Sequence, residues 1–86
     1  MNQTLPHILV VDDHAEIRDL LKRFLEQHGF KVTCARDGKE MKRLLENGHF
    51  TVLVLDLMLT GEDGLTLCRD LRARSSLPVV MLTALG

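Results

Sequence analysis

The chain has 86 residues, of which 45% are hydrophobic and 27% charged, and its formal net charge is -1. This length bounds it to a single domain, and its composition is ordinary for a soluble globular protein. The near-zero charge excludes a broad electrostatic surface for nucleic acid or an anionic membrane. Apolar runs fall short of the ~18 residues of a membrane span, and a signal-peptide pattern is absent. We therefore expect a cytoplasmic protein in which Cys34 and Cys68 are reduced and buried.

The first half of the chain predicts two strands separated by a helix. The apolar run of residues 7–11 is typical of a strand buried on both faces, and Asp12 and Asp13 follow it. Apolar residues then recur at the spacing of one helical face; they are Ile17, Leu20, Leu21, Phe24 and Leu25. Asp13 has capping-box spacing with the glutamate three residues later, and Gly29 is a natural helix stop. Residues 30–35 alternate as an edge strand does.

The second half repeats the alternation of strand and helix. It predicts a helix over residues 39–47, with a second capping-box spacing at its start, and then a strand over 51–56 that ends in Asp56. A third helix beginning at Gly64 and a fourth strand over 78–83 follow. The connections are short. The order βαβαβαβ therefore indicates an α/β fold with a parallel sheet and right-handed crossovers.

Polar residues end three of the predicted strands. Asp12 and Asp13 close the first, Asp56 closes the third and Thr83 closes the fourth. If the first and third strands are neighbours, ~4.8 Å apart, their carboxylates share a pocket at the carboxyl edge of the sheet. Carboxylates this close repel, so either some are protonated or a cation lies among them. Oxygen ligands favour Mg²⁺, and a carboxylate beside Mg²⁺ can accept a phosphoryl group, to which Thr83 can donate its hydroxyl.

Each of these residues also has a plainer interpretation. Asp13 can be only a helix cap, Asp56 can simply end a strand, and Thr83 can be an ordinary strand-end residue. We favour a metal site because the three carboxylates occur together at predicted strand ends. His14 is expected to be a solvated loop residue, with contact to a phosphodonor as the less favoured alternative.

Four segments of the chain resemble the receiver domain of bacterial two-component response regulators. They are residues 8–13, 54–59, 61–64 and 80–84, which read Ile-Leu-Val-Val-Asp-Asp, Val-Leu-Asp-Leu-Met-Leu, Gly-Glu-Asp-Gly and Val-Met-Leu-Thr-Ala. The Leu-Met-Leu and Gly-x-Asp-Gly sequences are most similar to the OmpR/PhoB-like transcriptional class. The resemblance implies a flavodoxin-like (CheY-like) doubly wound parallel sheet with the strand order 2-1-3-4-5.

The resemblance also implies a role for each candidate site residue. By it, Asp56 is the phosphoacceptor, and Asp12 and Asp13 bind Mg²⁺ together with Asp56. The backbone carbonyl of Met58 is implied as a further metal ligand, and Thr83 as the hydroxyl that senses the phosphoryl group. A histidine kinase is the implied phosphodonor, and transcription regulation by a DNA-binding domain is the implied output. Such a receiver is not an enzyme beyond slow self-catalysed phosphorylation and dephosphorylation.

The chain departs from the family pattern in two ways. The family usually has proline where this chain has Thr60. It also has a fifth strand with a phosphate-binding lysine, further helices and an effector domain. Residues 1–86 are therefore expected to be the N-terminal part of a receiver, with strand order 2-1-3-4 and no such lysine. An uncovered fourth strand would then be an apolar edge, through which we expect self-association.

Two other functions remain open from the sequence. The chain can be a truncated or engineered folding fragment whose site is vestigial. It can also be a small Mg²⁺-dependent phosphatase of the aspartyl-phosphate type. Those enzymes usually carry a second aspartate two residues after the nucleophile, and Met58 occupies that position here, which argues against turnover.

Overall fold

A computed structural model describes residues 5–56, 69–70, 72–73 and 76–82 of the chain. The elements within them are β1 (His7–Val11), α1 (Ala15–Gln27), β2 (Lys31–Ala35), α2 (Gly38–Asn47), β3 (Val52–Asp56) and β4 (Val79–Leu82). Residues 69–70 and 72–73 are helical, in agreement with the predicted third helix, and the start of that helix at Gly64 lies outside the described residues. The remaining predicted elements are confirmed with boundaries that differ by two residues or fewer.

The four described strands form one parallel sheet in the order β2-β1-β3-β4. This is the predicted order, and it makes β1 and β3 neighbours. Their register pairs Ile8 with Val52 and Val11 with Leu55. Asp12, which follows Val11, therefore lies beside Asp56, the last residue of β3. The sheet thus brings two acidic residues together at its carboxyl edge.

Alternate residues of the strands enter two separate apolar clusters, one on each face of the sheet. The cluster on the α2 face contains Met41 and the strand residues Leu9, Val11, Leu53 and Leu55, all essentially fully buried. Helices on both faces are what allow parallel strands to be apolar throughout. This buried cluster fixes the positions of β1 and β3 below the acidic edge.

The cluster on the α1 face is less completely covered. Ile8, Val10 and Val32 are buried there, and Leu21 and Leu25 of α1 pack against them. The other three residues of the predicted apolar helix face are exposed; they are Ile17 (39%), Leu20 (64%) and Phe24 (54%). These residues are exposed because α1 lies against β1 and β2, which leaves the flank of the helix uncovered.

The helix ends show which predicted caps form. Asp37 accepts a hydrogen bond from the backbone N–H of Glu40 at 2.8 Å, and the Glu40 carboxylate accepts one from the N–H of Arg36. Gly29 has a φ of 87°, the left-handed conformation expected of a stop after α1. The predicted cap at Asp13 was wrong: α1 is capped by His14, without a side-chain hydrogen bond. Within the described residues, no helix combines the length and apolar character needed to cross a bilayer.

Candidate metal centre

Three carboxylates and one imidazole converge at the carboxyl edge of β1 and β3. The side chains are those of Asp12, Asp13, His14 and Asp56, and one ligand atom from each lies within 4.8 Å of all the others. Asp12 and Asp56 are each only 5% exposed, whereas the side chain of Asp13 is 21% exposed. The predicted clustering of the three aspartates is therefore present in the structure.

Hydrogen bonds to β2, to α1 and to the following loop residue hold Asp12 in place. Its backbone N–H donates to the carbonyl of Ala35 in β2 at 3.1 Å, and its backbone carbonyl accepts from the guanidinium of Arg18 at 2.8 Å. Its side-chain Oδ1 accepts from the backbone N–H of His14 at 2.8 Å, which forms an Asx turn. Contacts from β2 and α1 thus keep one carboxylate of the cluster in place.

His14 adds a side chain to this acidic cluster that the sequence did not predict. Its side chain is 65% exposed, as a solvated loop residue would be, yet Nδ1 contacts both neighbouring carboxylates. The distances are 3.0 Å to Oδ1 of Asp12 and 2.9 Å to Oδ1 of Asp13. The hydrogen bond to Asp12 and then the charge of Asp13 raise the pKa of His14 above its ordinary value. The sequence feature that indicates these contacts is the position of His14 immediately after two aspartates.

The donor set determines which ion the cluster can hold. Carboxylates within 4.8 Å of one another repel, and a divalent cation among them offsets that repulsion. Asp12, Asp13 and Asp56 offer the hard oxygen ligands that Mg²⁺ prefers. The residues therefore fit the magnesium ion that the sequence predicted, with the addition of a nitrogen donor from His14.

Two of the predicted site residues lie outside the described part of the chain. They are Met58, whose backbone carbonyl was predicted as a metal ligand, and Thr83, predicted to sense the phosphoryl group. Thr60 and Cys68 lie outside it as well. Their predicted roles remain predictions.

The fold and the acidic edge together define a class of protein. A model of the response regulator receiver domain matches residues 8–86, which is most of the chain. This chain belongs to the response regulator receiver domain family. This match confirms the resemblance to receiver domains that the sequence showed. The narrower OmpR/PhoB-like class remains a prediction.

Particular relatives support this assignment. The chain is 49% identical over 86 residues to Protein PetR of Rhodobacter capsulatus, covering 100% of this chain and 36% of PetR. It is 43% identical over 79 residues to the probable transcriptional regulator ycf27 of Cyanophora paradoxa, covering 92% of this chain and 33% of ycf27. The chain thus spans about a third of the length of these relatives.

A solved structure has the same fold. It is response regulator protein TrrA from Thermotoga maritima, solved in complex with Mg(2+)-BeF. The TM-score is 0.88 at 31% sequence identity, and the match covers 95% of this chain and 72% of TrrA. This similarity confirms the CheY-like parallel fold predicted from the sequence.

Proposed function

We propose that this chain is a phosphorelay receiver in which Asp56 accepts a phosphoryl group from a histidine kinase. The observation that carries the proposal is the convergence of the Asp12, Asp13 and Asp56 carboxylates within 4.8 Å at one edge of a receiver fold. Asp56 ends a central strand and is 5% exposed, so its position is set by the sheet. A rigid strand end suits a group that must meet a phosphodonor in a defined geometry.

The residues divide the work of phosphoryl transfer. An oxygen of the Asp56 carboxylate attacks phosphorus while the P–N bond to the donor imidazole breaks, and the departing nitrogen takes up a proton. Asp12, Asp13 and Asp56 would hold Mg²⁺ together with the backbone carbonyl of Met58. The ion, when bound, supplies positive charge that offsets the charge of the phosphoryl oxygens. Thr83 donates its hydroxyl to one of these oxygens.

The output of such a module lies in a partner domain. The relative ycf27 is named a probable transcriptional regulator, and the chain covers 33% of it. We propose that the receiver controls a DNA-binding transcriptional domain in the cytoplasm. The chain itself is a phosphoacceptor, with at most slow self-catalysed phosphorylation and dephosphorylation, rather than an enzyme that turns over substrate.

Phosphoryl labelling tests the proposal directly. With acetyl phosphate or a partner histidine kinase and Mg²⁺, the chain should gain one hydroxylamine-sensitive phosphoryl group, measured by intact mass. Asp56→Asn should abolish the gain. Asp70→Asn is the matched control, because Asp70 is an exposed aspartate in the described helical segment, and it should label normally. Equal labelling of Asp56→Asn and the wild type would overturn the assignment, and failure of every variant to label would favour a vestigial site.

We also propose self-association through β4. This strand is an edge of the sheet formed by the described residues, and Val80 within it is 49% exposed. The other edge strand, β2, begins with the exposed charge of Lys31, a feature that discourages pairing between edges.

Light scattering should show dimers or larger species that Val80→Lys converts to monomer. Leu5→Lys is the control, since Leu5 is 50% exposed but precedes the sheet. A monomeric wild type would contradict the proposal.

A further inference from the structure

Nδ1 of His14 lies beside two carboxylates of the proposed metal site. Nδ1 is 3.0 Å from Oδ1 of Asp12 and 2.9 Å from Oδ1 of Asp13. Two ligands at right angles around an ion, each bonded at ~2.1 Å, lie about 3.0 Å apart. The two contacts of His14 therefore have the length of an edge of an octahedral coordination shell. Nδ1 is therefore close enough to each of these oxygens to share an ion with it.

The backbone hydrogen bond and the exposure of His14 both suit its imidazole to binding an ion. The N–H of His14 donates to Oδ1 of Asp12 at 2.8 Å, so the residue is tied to the cluster independently of its ring. The side chain is 65% exposed, so the rest of the imidazole stays in water while Nδ1 faces the carboxylates. Binding an ion through Nδ1 would thus displace water from the ion without burying the imidazole ring.

Imidazole changes which ions a carboxylate site prefers. Carboxylate oxygens suit Mg²⁺, whereas imidazole nitrogen suits the later first-row divalent ions. We propose that His14 is a further side-chain ligand of this centre, and that its nitrogen selectively strengthens binding of ions such as Co²⁺, Ni²⁺ or Zn²⁺ relative to Mg²⁺. This inference rests on the carboxylate metal site proposed above and adds the ligand that sets its selectivity.

Titration calorimetry with Co²⁺ and with Mg²⁺ at about pH 8 tests the proposal. Loss of an outer-shell partner costs 10–100-fold in metal affinity, and loss of a ligand should cost at least the lower figure. His14→Asn should therefore weaken Co²⁺ binding about 10-fold or more, while its effect on Mg²⁺ stays within about 2-fold. His49→Asn is the control, because it removes an exposed histidine from the opposite end of the sheet, and it should change neither affinity.

Proton NMR of the Co²⁺ form gives a second readout, independent of any activity. A ligating imidazole should give a strongly shifted, exchangeable N–H signal in the wild type and in His49→Asn, and His14→Asn should lack it. If His14 only donates a hydrogen bond, the signal is missing and His14→Asn changes both affinities equally or neither, which overturns this inference while leaving the proposed Mg²⁺ site intact. If neither ion binds the wild type, the proposed metal site fails and the inference fails with it.

Discussion

The amino and carboxyl ends of β1 and β3 contain opposite kinds of contact. At the amino end, the ring of His7 donates from Nδ1 to the carbonyl of His49 at 3.1 Å, and Nε2 accepts from the hydroxyl of Thr33 at 2.7 Å. The backbone N–H of His7 donates to Oγ1 of Thr51, and the N–H of Thr51 donates to the carbonyl of His7. The ring also contacts Phe50, with centroids 4.3 Å apart. Each donor here meets an acceptor.

The carboxyl end concentrates groups that repel one another. Asp12 and Asp56 are nearly buried, and Asp13 adds a third carboxylate within 4.8 Å. Matched neutral hydrogen bonds stabilise a fold, whereas like charges at this spacing raise its free energy unless a cation is present. The amino end therefore stabilises the fold, and the carboxyl end is suited to ligand binding. This division agrees with the general placement of ligands at the carboxyl edge of open α/β sheets.

The largest predicted change in stability comes from the amino end. His7→Ala removes two ring hydrogen bonds, each contributing about 1 kcal/mol, together with the contact on Phe50. We expect a loss of about 2–3 kcal/mol in the free energy of unfolding, measured by urea denaturation without Mg²⁺. His49→Ala keeps the carbonyl that His7 uses and should change stability by less than about 0.5 kcal/mol. Equal losses in both variants would show that the ring of His7 does not stabilise the amino end of the sheet.

The carboxyl end should respond in the opposite direction. Two like charges about 4 Å apart near a protein surface repel by about 4 kcal/mol, and contacts with His14 offset part of this. Asp56→Asn should therefore raise the free energy of unfolding of the ion-free chain by about 1–2 kcal/mol in the same urea experiment. A lower free energy of unfolding in Asp56→Asn would show that the Asp56 carboxylate stabilises the ion-free fold.

Added salt should raise the free energy of unfolding of the ion-free chain by a smaller amount. Raising NaCl to about 1 M shortens the screening length to about 3 Å and weakens repulsion among the carboxylates. The wild type should gain up to about 1 kcal/mol, and Asp56→Asn should gain less. His7→Ala keeps all three carboxylates and should gain as much as the wild type. A gain of the same size in Asp56→Asn would mean that the salt effect arises elsewhere.

The smallest predicted effect concerns a group between the two ends. Cys34 in β2 is a half-buried thiol, and burial is the main cause that raises its pKa above the ordinary value of 9.0. Its contribution to stability is complete below about pH 9 and is lost as pH rises toward the pKa in the folded state. Ultraviolet titration of the thiolate in a Cys68→Ser background should give a midpoint above 9.0. A lower midpoint would show that burial does not disfavour the charged form here.

Several features of the fold follow from the sequence because one physical signal dominates each. β1 is His7–Val11, as predicted, because an unbroken apolar run with acids after it has few other solutions. The meeting of Asp12 and Asp56 was predictable once the strands were parallel, since carboxyl ends share an edge. The cap at Asp37 forms because the N–H of Glu40 is within its reach.

Other features depend on contacts that periodicity does not encode. The apolar face of α1 predicts a buried helix side, but how much of it is covered depends on where the helix lies over the sheet, and Phe24 is exposed. Asp13 has the spacing of a cap, yet its Oδ1 lies 2.9 Å from Nδ1 of the His14 imidazole. His14 was missed as a site residue because a ring placed next to two carboxylates is set by the loop conformation rather than by spacing.

A thermal melt with and without Mg²⁺ shows whether the carboxyl edge of the sheet binds the ion. An ion at ten times its dissociation constant stabilises the folded state by about 1.4 kcal/mol, and each kcal/mol raises the midpoint by roughly 4–8 °C in a domain of this size. The midpoint should therefore rise by several degrees in the wild type and in Asp19→Ala, which removes an exposed carboxylate of α1. It should not rise in Asp13→Ala. An unchanged midpoint in the wild type, or the same rise in Asp13→Ala, would contradict a metal centre at the carboxyl edge of the sheet.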